Sequence, residues 1–152
     1  MTNLIKTISI TLLIALSMSF ISCKNDETNP NTGKFKNSDL VGTWTGDAGS
    51  FTINSSGYVD FTYQGTTYND KILGNFEGGM EEESLGTSVS TFESGYSEYA
   101  THSDGDKRKL ASFYFSSSSS CTVSIREDTY SGTSPDGSWQ RGSPTSLGTF
   151  TK

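Results

Sequence analysis

The sequence predicts an all-β protein, either a small antiparallel β-barrel (lipocalin-like) or a β-sandwich, behind an N-terminal export signal and a flexible tether. Aromatic residues make up 12% of the 152-residue chain, and together with many Thr, Ser and Gly residues they give a composition typical of strands. Alternation of apolar and polar residues is common after residue 38, whereas helical periodicity is hard to find. Short alternating runs separated by turn residues are typical of barrels and sandwiches.

Residues 1–22 are predicted to be a signal peptide. Lys6 supplies a positive charge, and residues 7–22 carry no charge at all. This run falls short of the about 20 apolar residues that a membrane-spanning helix needs, and serines interrupt it. Ser22, which directly precedes Cys23, is the kind of small residue that a signal peptidase accepts.

The segment Phe20-Ile21-Ser22-Cys23 resembles the lipobox of bacterial lipoproteins, with Phe20 in the place where that family usually has Leu. The resemblance implies cleavage before Cys23, a diacylglyceryl thioether on its sulfur, and acyl chains such as palmitate inserted in a membrane. One acyl chain binds a membrane only marginally, whereas two or three together give a stable anchor. Two alternatives stay open, a cleaved signal with a secreted product and an uncleaved anchor.

Residues 23–37 are predicted to be a lipidated tether. Residues 24–34 contain no apolar residue and carry Pro, Gly, Asn and charged residues, so they cannot bury enough surface to fold. The Lys and acidic residues right after Cys23 also resemble the surface-export tags of some outer-membrane lipoproteins. That resemblance implies a lipoprotein of the cell envelope, anchored in the outer membrane and exposed at the surface, although a solvated linker explains the same residues. Residues 38–152 fit one domain, which we expect to be a monomer.

Within that domain, alternation and turn residues predict the strands in order. Residues 51–53 and 59–63 each place apolar side chains on one face, and the turn residues 54–57 between them predict a hairpin. The complete set of predicted strands is 40–45, 51–53, 59–63, 67–73, 74–77, 87–93, 110–116, 121–126, a short strand at Trp139, and 148–152.

Polar stretches with Gly or Pro separate these strands. Residues 78–86, 94–109 and 131–146 are predicted to be loops, the last of them around the short strand. The serine-rich residues 116–120 predict a bend or a sheet edge. Cys121 begins an alternating run, so it is expected to be a small buried apolar residue rather than a reactive thiol.

The segment Gly42-Thr43-Trp44 resembles the Gly-x-Trp start of lipocalin-like and avidin-like barrels. The resemblance implies a barrel in which Trp44 closes the floor and the C-terminal segment 148–152 is the closing strand. It also makes Tyr63 and Trp139 candidate ligand-binding residues. Biotin itself is not implied, because Gly46 stands where the avidin-like family would have Asn.

The charge of the chain argues against nucleic-acid partners. It has 17 Asp and Glu against 11 Lys and Arg, a net charge of −6. Phosphate backbones are bound by clustered Lys and Arg, and the single basic cluster, residues 107–109, follows Asp104 and Asp106. We therefore expect no nucleic-acid binding.

The sequence offers little for catalysis, and we expect no enzyme activity. Its one histidine, His102, lies in a polar stretch and is expected to be a solvated loop residue. No Gly-x-Ser-x-Gly motif would expose a nucleophile, and the His and Cys residues are too few for a zinc site. The carboxylates at 81–83, 104 and 106 lack the spaced order of a calcium loop. No metal and no cofactor are predicted.

Taken together, these patterns favour a membrane-anchored bacterial lipoprotein whose β domain binds something outside the cytoplasm. The ligand would be a small apolar molecule inside a barrel, or a partner molecule on its rim. Aromatic residues with a polar tip suit such partly wet contacts. A structural or antigenic surface lipoprotein without a dedicated ligand is the alternative, and a hydrolase is a third, weaker hypothesis.

Overall fold

Nine antiparallel strands and one short 3-10 helix make up the residues that the computed structural model describes, 35–74 and 87–152. The elements are the 3-10 helix (Asn37–Leu40), β1 (Gly42–Gly46), β2 (Gly49–Ile53), β3 (Val59–Tyr63), β4 (Thr66–Tyr68), β5 (Thr87–Phe92), β6 (Lys107–Ser117), β7 (Ser120–Ser131), β8 (Ser138–Gln140) and β9 (Thr145–Thr151). The predicted signal peptide, Cys23, most of the tether and nearly all of the predicted strand and loop between 74 and 86 lie outside the described residues.

The strands form one sheet in the order β4-β3-β2-β1-β9-β7-β6-β5, and β8 pairs separately with β7. This sheet curls into a nearly closed antiparallel barrel, which confirms the all-β prediction and selects the barrel over the sandwich. The two end strands, β4 and β5, meet at a seam. There the Ser94 amide donates a hydrogen bond to the Thr67 carbonyl at 2.7 Å, and the Lys109 ammonium donates one to the Thr66 hydroxyl at 3.0 Å.

Inward-facing aromatic side chains fill the barrel. Phe51 lies at the centre, with its ring centroid 5.0 Å from that of Phe113 and 5.4 Å from that of Phe150. Trp44 and Phe61 extend the cluster on either side of Phe51, at 5.8 and 6.2 Å. All five side chains are at most 2% exposed. The predicted strand alternation therefore produces a packed aromatic core.

One end of the barrel is closed by the 3-10 helix and the C-terminus. The Trp44 indole donates a hydrogen bond to the Leu40 carbonyl at 2.9 Å. The Lys152 ammonium lies 5.5 Å from the Trp44 ring centroid and donates to the Val41 carbonyl at 3.0 Å. Phe35 is also buried in the core, so the packed residues begin within the segment predicted to be tether.

β6 and β7 extend furthest beyond their predicted bounds, although β2 and β9 also begin earlier than predicted. β6 begins at Lys107 and β7 continues to Ser131, whereas the predicted strands covered 110–116 and 121–126. Their added residues are mostly charged or polar, so they carry no apolar alternation, yet the backbone pairing continues to Lys107 opposite Thr129. The prediction for Cys121 is confirmed: the thiol is fully buried, and this burial raises its pKa to about 12.

Candidate functional site: a pocket at the open end of the barrel

A pocket of about 340 Å³ lies at the end of the barrel away from the 3-10 helix. It is enclosed by the β3–β4 turn, the start of β6, the middle of β7 and the start of β9. This volume is at the lower end of the ~300–1,000 Å³ typical of small-molecule sites. The lining residues are Tyr63, Gln64, Thr66, Tyr68, Lys109, Ile125, Arg126, Glu127, Ser143 and Thr145.

Strand alternation explains how most of these side chains reach the pocket. Successive residues of a strand point to opposite faces, so positions two apart share a face. On β3, Tyr63 follows the buried Phe61, and on β6, Lys109 precedes the buried Ala111. On β7, Ile125 follows the buried Val123. On each of these strands, the next inward-facing residue beyond the packed core therefore lines the pocket.

The turn between β3 and β4 shapes one wall. Its two central residues, Gln64 and Gly65, have φ angles of 47° and 78°. Positive φ at both positions is the conformation of a tight type I′ hairpin turn, which favours Gly because it has no Cβ. The turn keeps Tyr63 and Thr66 directly opposite each other in the ladder, at the pocket edge.

Two tyrosines form an aromatic wall. The rings of Tyr63 and Tyr68 each stack on Phe61, with centroids 6.3 and 5.8 Å apart. Tyr68 is only 1% exposed, and burial together with the nearby charge of Glu93 raises its pKa to about 12. Tyr63 is partly exposed, so its ring remains accessible from the pocket. The Tyr68 phenol therefore stays neutral at physiological pH, and both rings present apolar faces.

A buried ion network lies on the outer face of β6 and β7, next to the pocket rim. Asp128 is 1% exposed and accepts hydrogen bonds from Arg126 Nε at 2.7 Å, Arg126 Nη2 at 3.2 Å and Arg108 Nε at 3.2 Å. The Gly142 amide donates a further hydrogen bond to Asp128 at 3.1 Å. Burial by itself would raise the pKa of the Asp128 carboxyl, but these hydrogen bonds and the Arg126 charge outweigh it and hold the pKa below its ordinary 3.8. Asp128 thereby fixes Arg126 at the pocket rim.

Gly142 is required by the same arrangement. A Cβ at this position would lie 1.9 Å from the Glu127 carbonyl oxygen, far inside van der Waals contact. Any other residue would force the chain away from β7 and break the hydrogen bond that the residue 142 amide donates to Asp128.

Trp139 lies outside the barrel, in a cluster built on the outer face of β6 and β7. The Arg108 guanidinium sits over its ring at 4.4 Å and over the ring of Phe92 at 4.9 Å, both distances that favour cation–π attraction. Tyr96 and Tyr130 complete the aromatic contacts with Trp139, at 6.1 and 5.1 Å.

His102 belongs to this outer cluster, and the expectation of a solvated loop histidine is wrong. Its side chain is 14% exposed, and its ring centroid lies 4.9 Å from that of Trp139. Its Nε2 is buried and has no hydrogen-bond partner among the described residues. The sequence missed this because two of the rings that cover His102, Tyr130 on β7 and Trp139 on β8, are distant from it in the chain.

The structure separates the two ligand-binding residues proposed from resemblance. Tyr63 lines the pocket, whereas Trp139 does not. Trp139 is linked to the pocket only through Arg108, which packs on its ring and pairs with Asp128, the same carboxylate that pairs with the lining residue Arg126. Sequence reasoning missed Lys109 and Arg126. Strand alternation on β6, from Phe113 through Ala111 to Lys109, would have placed Lys109 on the inward face. No local pattern identifies Arg126.

A second groove, of about 380 Å³, follows the seam between β4 and β5 and is lined in part by Asp70, Glu93 and Glu98. These carboxylates make the seam acidic. Within the described ranges, however, no group of three or more His, Cys, Asp or Glu side chains could hold a metal ion. In those same ranges, no helix has the length and apolarity to cross a membrane.

Fold and pocket together define a small antiparallel β-barrel protein with a filled core and a site at its open end. Comparisons with protein-family models, curated proteins and solved structures find no match for the chain.

Proposed function

We propose that this protein is a lipid-anchored binding protein of the bacterial cell envelope, and that its barrel holds a small molecule at the open end. The observation that carries the proposal is the pocket itself, in which aromatic side chains, two cations, one carboxylate and several hydroxyls converge above a packed core. The proposed role is binding rather than catalysis. Anchoring through Cys23 would tether the barrel to the outer membrane, at the cell surface.

The packed core argues for the mouth of the barrel rather than its interior. Phe51, Phe61 and Phe113 occupy the space that an apolar ligand would need deep inside, and they contact one another directly. A ligand at the mouth needs no rearrangement of these rings. It would meet an aromatic face on Tyr63 and polar groups on the opposite wall, which suits an amphipathic molecule better than a wholly apolar one.

The second candidate is a structural or antigenic surface lipoprotein without a ligand. The filled interior favours it, and so do the exposed outward residues of β1, β2 and β3, which are Thr and Ser apart from Asp60. The two candidates predict different results for one measurement. A binding protein retains a small molecule in this pocket, whereas a coat protein without a ligand does not.

The anchor has a direct test. Replacing Cys23 with Ala removes the sulfur that would carry the lipid, so we expect this variant to move from the detergent phase to the aqueous phase on phase partitioning, or to remain unprocessed. Cys121→Ala is the matched control, because the buried thiol cannot be lipidated; it should stay with the detergent. A Cys23→Ala protein that is processed and still partitions into detergent would contradict the lipid anchor.

The pocket is tested by filling it. Thr145 lines the pocket and is exposed, so Thr145→Trp adds an indole there with little strain on the core. We expect the mature chain, incubated with the small-molecule fraction of a bacterial extract, to carry a bound mass in native mass spectrometry, and Thr145→Trp to lose most of it. Thr151→Trp places the same side chain on an exposed position of the same strand outside the pocket and should keep the bound mass. If the parent protein binds nothing, the coat role is favoured.

A further inference from the structure

We propose that the ligand of this pocket is a small anion with a flat apolar body, whose negative charge is held by Lys109. The inference rests on the proposed function, since it names the chemical class of ligand for the same site. It depends on the position of Lys109, the charges around it, and the aromatic wall beside it.

Lys109 is a partly buried cation that faces into the barrel. Its ammonium donates to the Thr66 hydroxyl at 3.0 Å, which is a neutral partner. Among the described residues it forms no ion pair, although three other cations at this end of the barrel do. Glu93 accepts a hydrogen bond from the Lys109 backbone amide at 3.1 Å rather than from its ammonium. A partly desolvated ammonium without a carboxylate partner attracts an anion more strongly than a solvated one.

The neighbouring charges do not cancel that attraction. Glu127, which lines the pocket, is paired with Lys107 at 2.7 Å. Asp128 is shared by Arg108 and Arg126, so these three groups keep one positive charge between them. Among the residues that line the pocket, Lys109 and Arg126 carry positive charge against the single carboxylate of Glu127, in a chain whose net charge is −6. The pocket is thus a basic site on an acidic protein.

The remaining lining residues define the rest of the ligand. Tyr63 offers a ring face and Ile125 an aliphatic surface, both next to the packed core. Flat rings stack on such a face with a gain beyond the burial of area. Hydroxyls of Thr66, Ser143 and Thr145 stand at the polar rim, within the same pocket, and can donate to carboxylate or sulfonate oxygens.

A matched pair of probes isolates the charge. 2-Naphthoate and 2-naphthamide share one ring system and differ in a carboxylate against a neutral amide. Their affinities are to be measured by calorimetry on residues 23–152 carrying Cys23→Ala, which removes lipid and detergent but keeps every described residue. We expect naphthoate to bind about tenfold more tightly, the size of one charge-assisted hydrogen bond.

Four variants assign that preference to Lys109. Lys109→Met keeps the apolar stem and should abolish the preference for naphthoate, whereas Lys109→Arg keeps the charge and should retain it. Thr66→Val removes a hydroxyl that bonds Lys109 and can also donate to the ligand, so it should weaken the preference without abolishing it. Lys71→Met makes the same charge change at an exposed position outside the pocket and should bind both probes like the parent. Melting curves of all four confirm that they fold.

The outcomes separate the two proposals. Loss of the preference in Lys109→Met alone supports the anionic ligand. Equal affinities of the parent for the two probes, with both displaced by Thr145→Trp, overturn the anionic class and leave the binding function standing. Binding of neither probe also overturns this ligand class, and the bound mass in native mass spectrometry then decides the proposed function by itself.

Discussion

Replacement of Trp44 by Ala is expected to unfold the barrel or to lower its melting temperature sharply. The indole is fully buried, lies 5.8 Å from Phe51 and 5.3 Å from Phe115, and donates its N–H to the Leu40 carbonyl. Truncation of a buried Trp costs about 3–5 kcal/mol, since transfer energy is lost and a cavity remains. A domain of this size has only ~5–15 kcal/mol of net stability. Thermal and urea unfolding followed by circular dichroism measure the effect.

The control for this substitution is Tyr114→Ala on the outer face of β6. Tyr114 is 47% exposed and pairs across the strand with Thr122, so its truncation should change the free energy of unfolding little. Trp139→Ala should fall between the two, because Trp139 is half-buried under Arg108. If Trp44→Ala melts like the parent while Trp139→Ala unfolds, the barrel core is assigned wrongly.

Asp128→Ala is expected to be comparably damaging. The substitution leaves Arg108 and Arg126, each with a side chain only 16% exposed, without their carboxylate partner. Removing one partner of a buried ion pair typically costs about 3–5 kcal/mol, because an uncompensated charge stays buried. Glu127→Ala is the matched control on the same strand: its pair with Lys107 is exposed, and surface pairs contribute only ~0–1 kcal/mol. Equal destabilisation by the two variants would contradict a special role for Asp128.

The same carboxylate makes stability depend on pH in a defined direction. Its pKa is lower in the folded chain than the 3.8 of a free carboxyl, so the unfolded chain takes up the proton first as the pH falls. The Asp128 contribution is therefore complete above about pH 4, declines below that value, and is lost once the pH passes the folded pKa. Asp128→Asn should remove this part of the acid dependence from the unfolding free energy. An unchanged acid limb in that variant would show that other carboxyls produce it.

Much of the fold follows from local sequence patterns. The hairpin of β2 and β3 is readable because alternation and turn residues are adjacent in the chain, and β3 matches its predicted residues, 59–63. The burial of Cys121 follows in the same way, since it sits on the apolar face of a short alternating run, whereas the burial of Trp44 was expected from the Gly-x-Trp resemblance. Such patterns can be interpreted without knowing which strand is the partner, because burial of one face of a strand is enough to produce the alternation.

The candidate site could not be predicted in this way. Lys109 and Arg126 come together because β6 and β7 pair with Lys109 opposite Glu127 and Leu110 opposite Arg126, a register set by the whole ladder. Tyr63 joins them only because the sheet curls until β4 meets β5 at the seam. Tyr63 was suggested by resemblance, but its neighbours in the pocket were not.

The sequence by itself thus determined the strand class, the alternating core and the hairpin of β2 and β3, because each depends on residues a few positions apart. Only the tertiary structure decided that the sheet closes into a barrel, that polar residues extend β6 and β7, that His102 is covered by Trp139, and that Asp128 is buried between two arginines. These features depend on burial and charge pairing between distant segments. The stabilisation from these contacts arises only once strand register and barrel closure bring the side chains together.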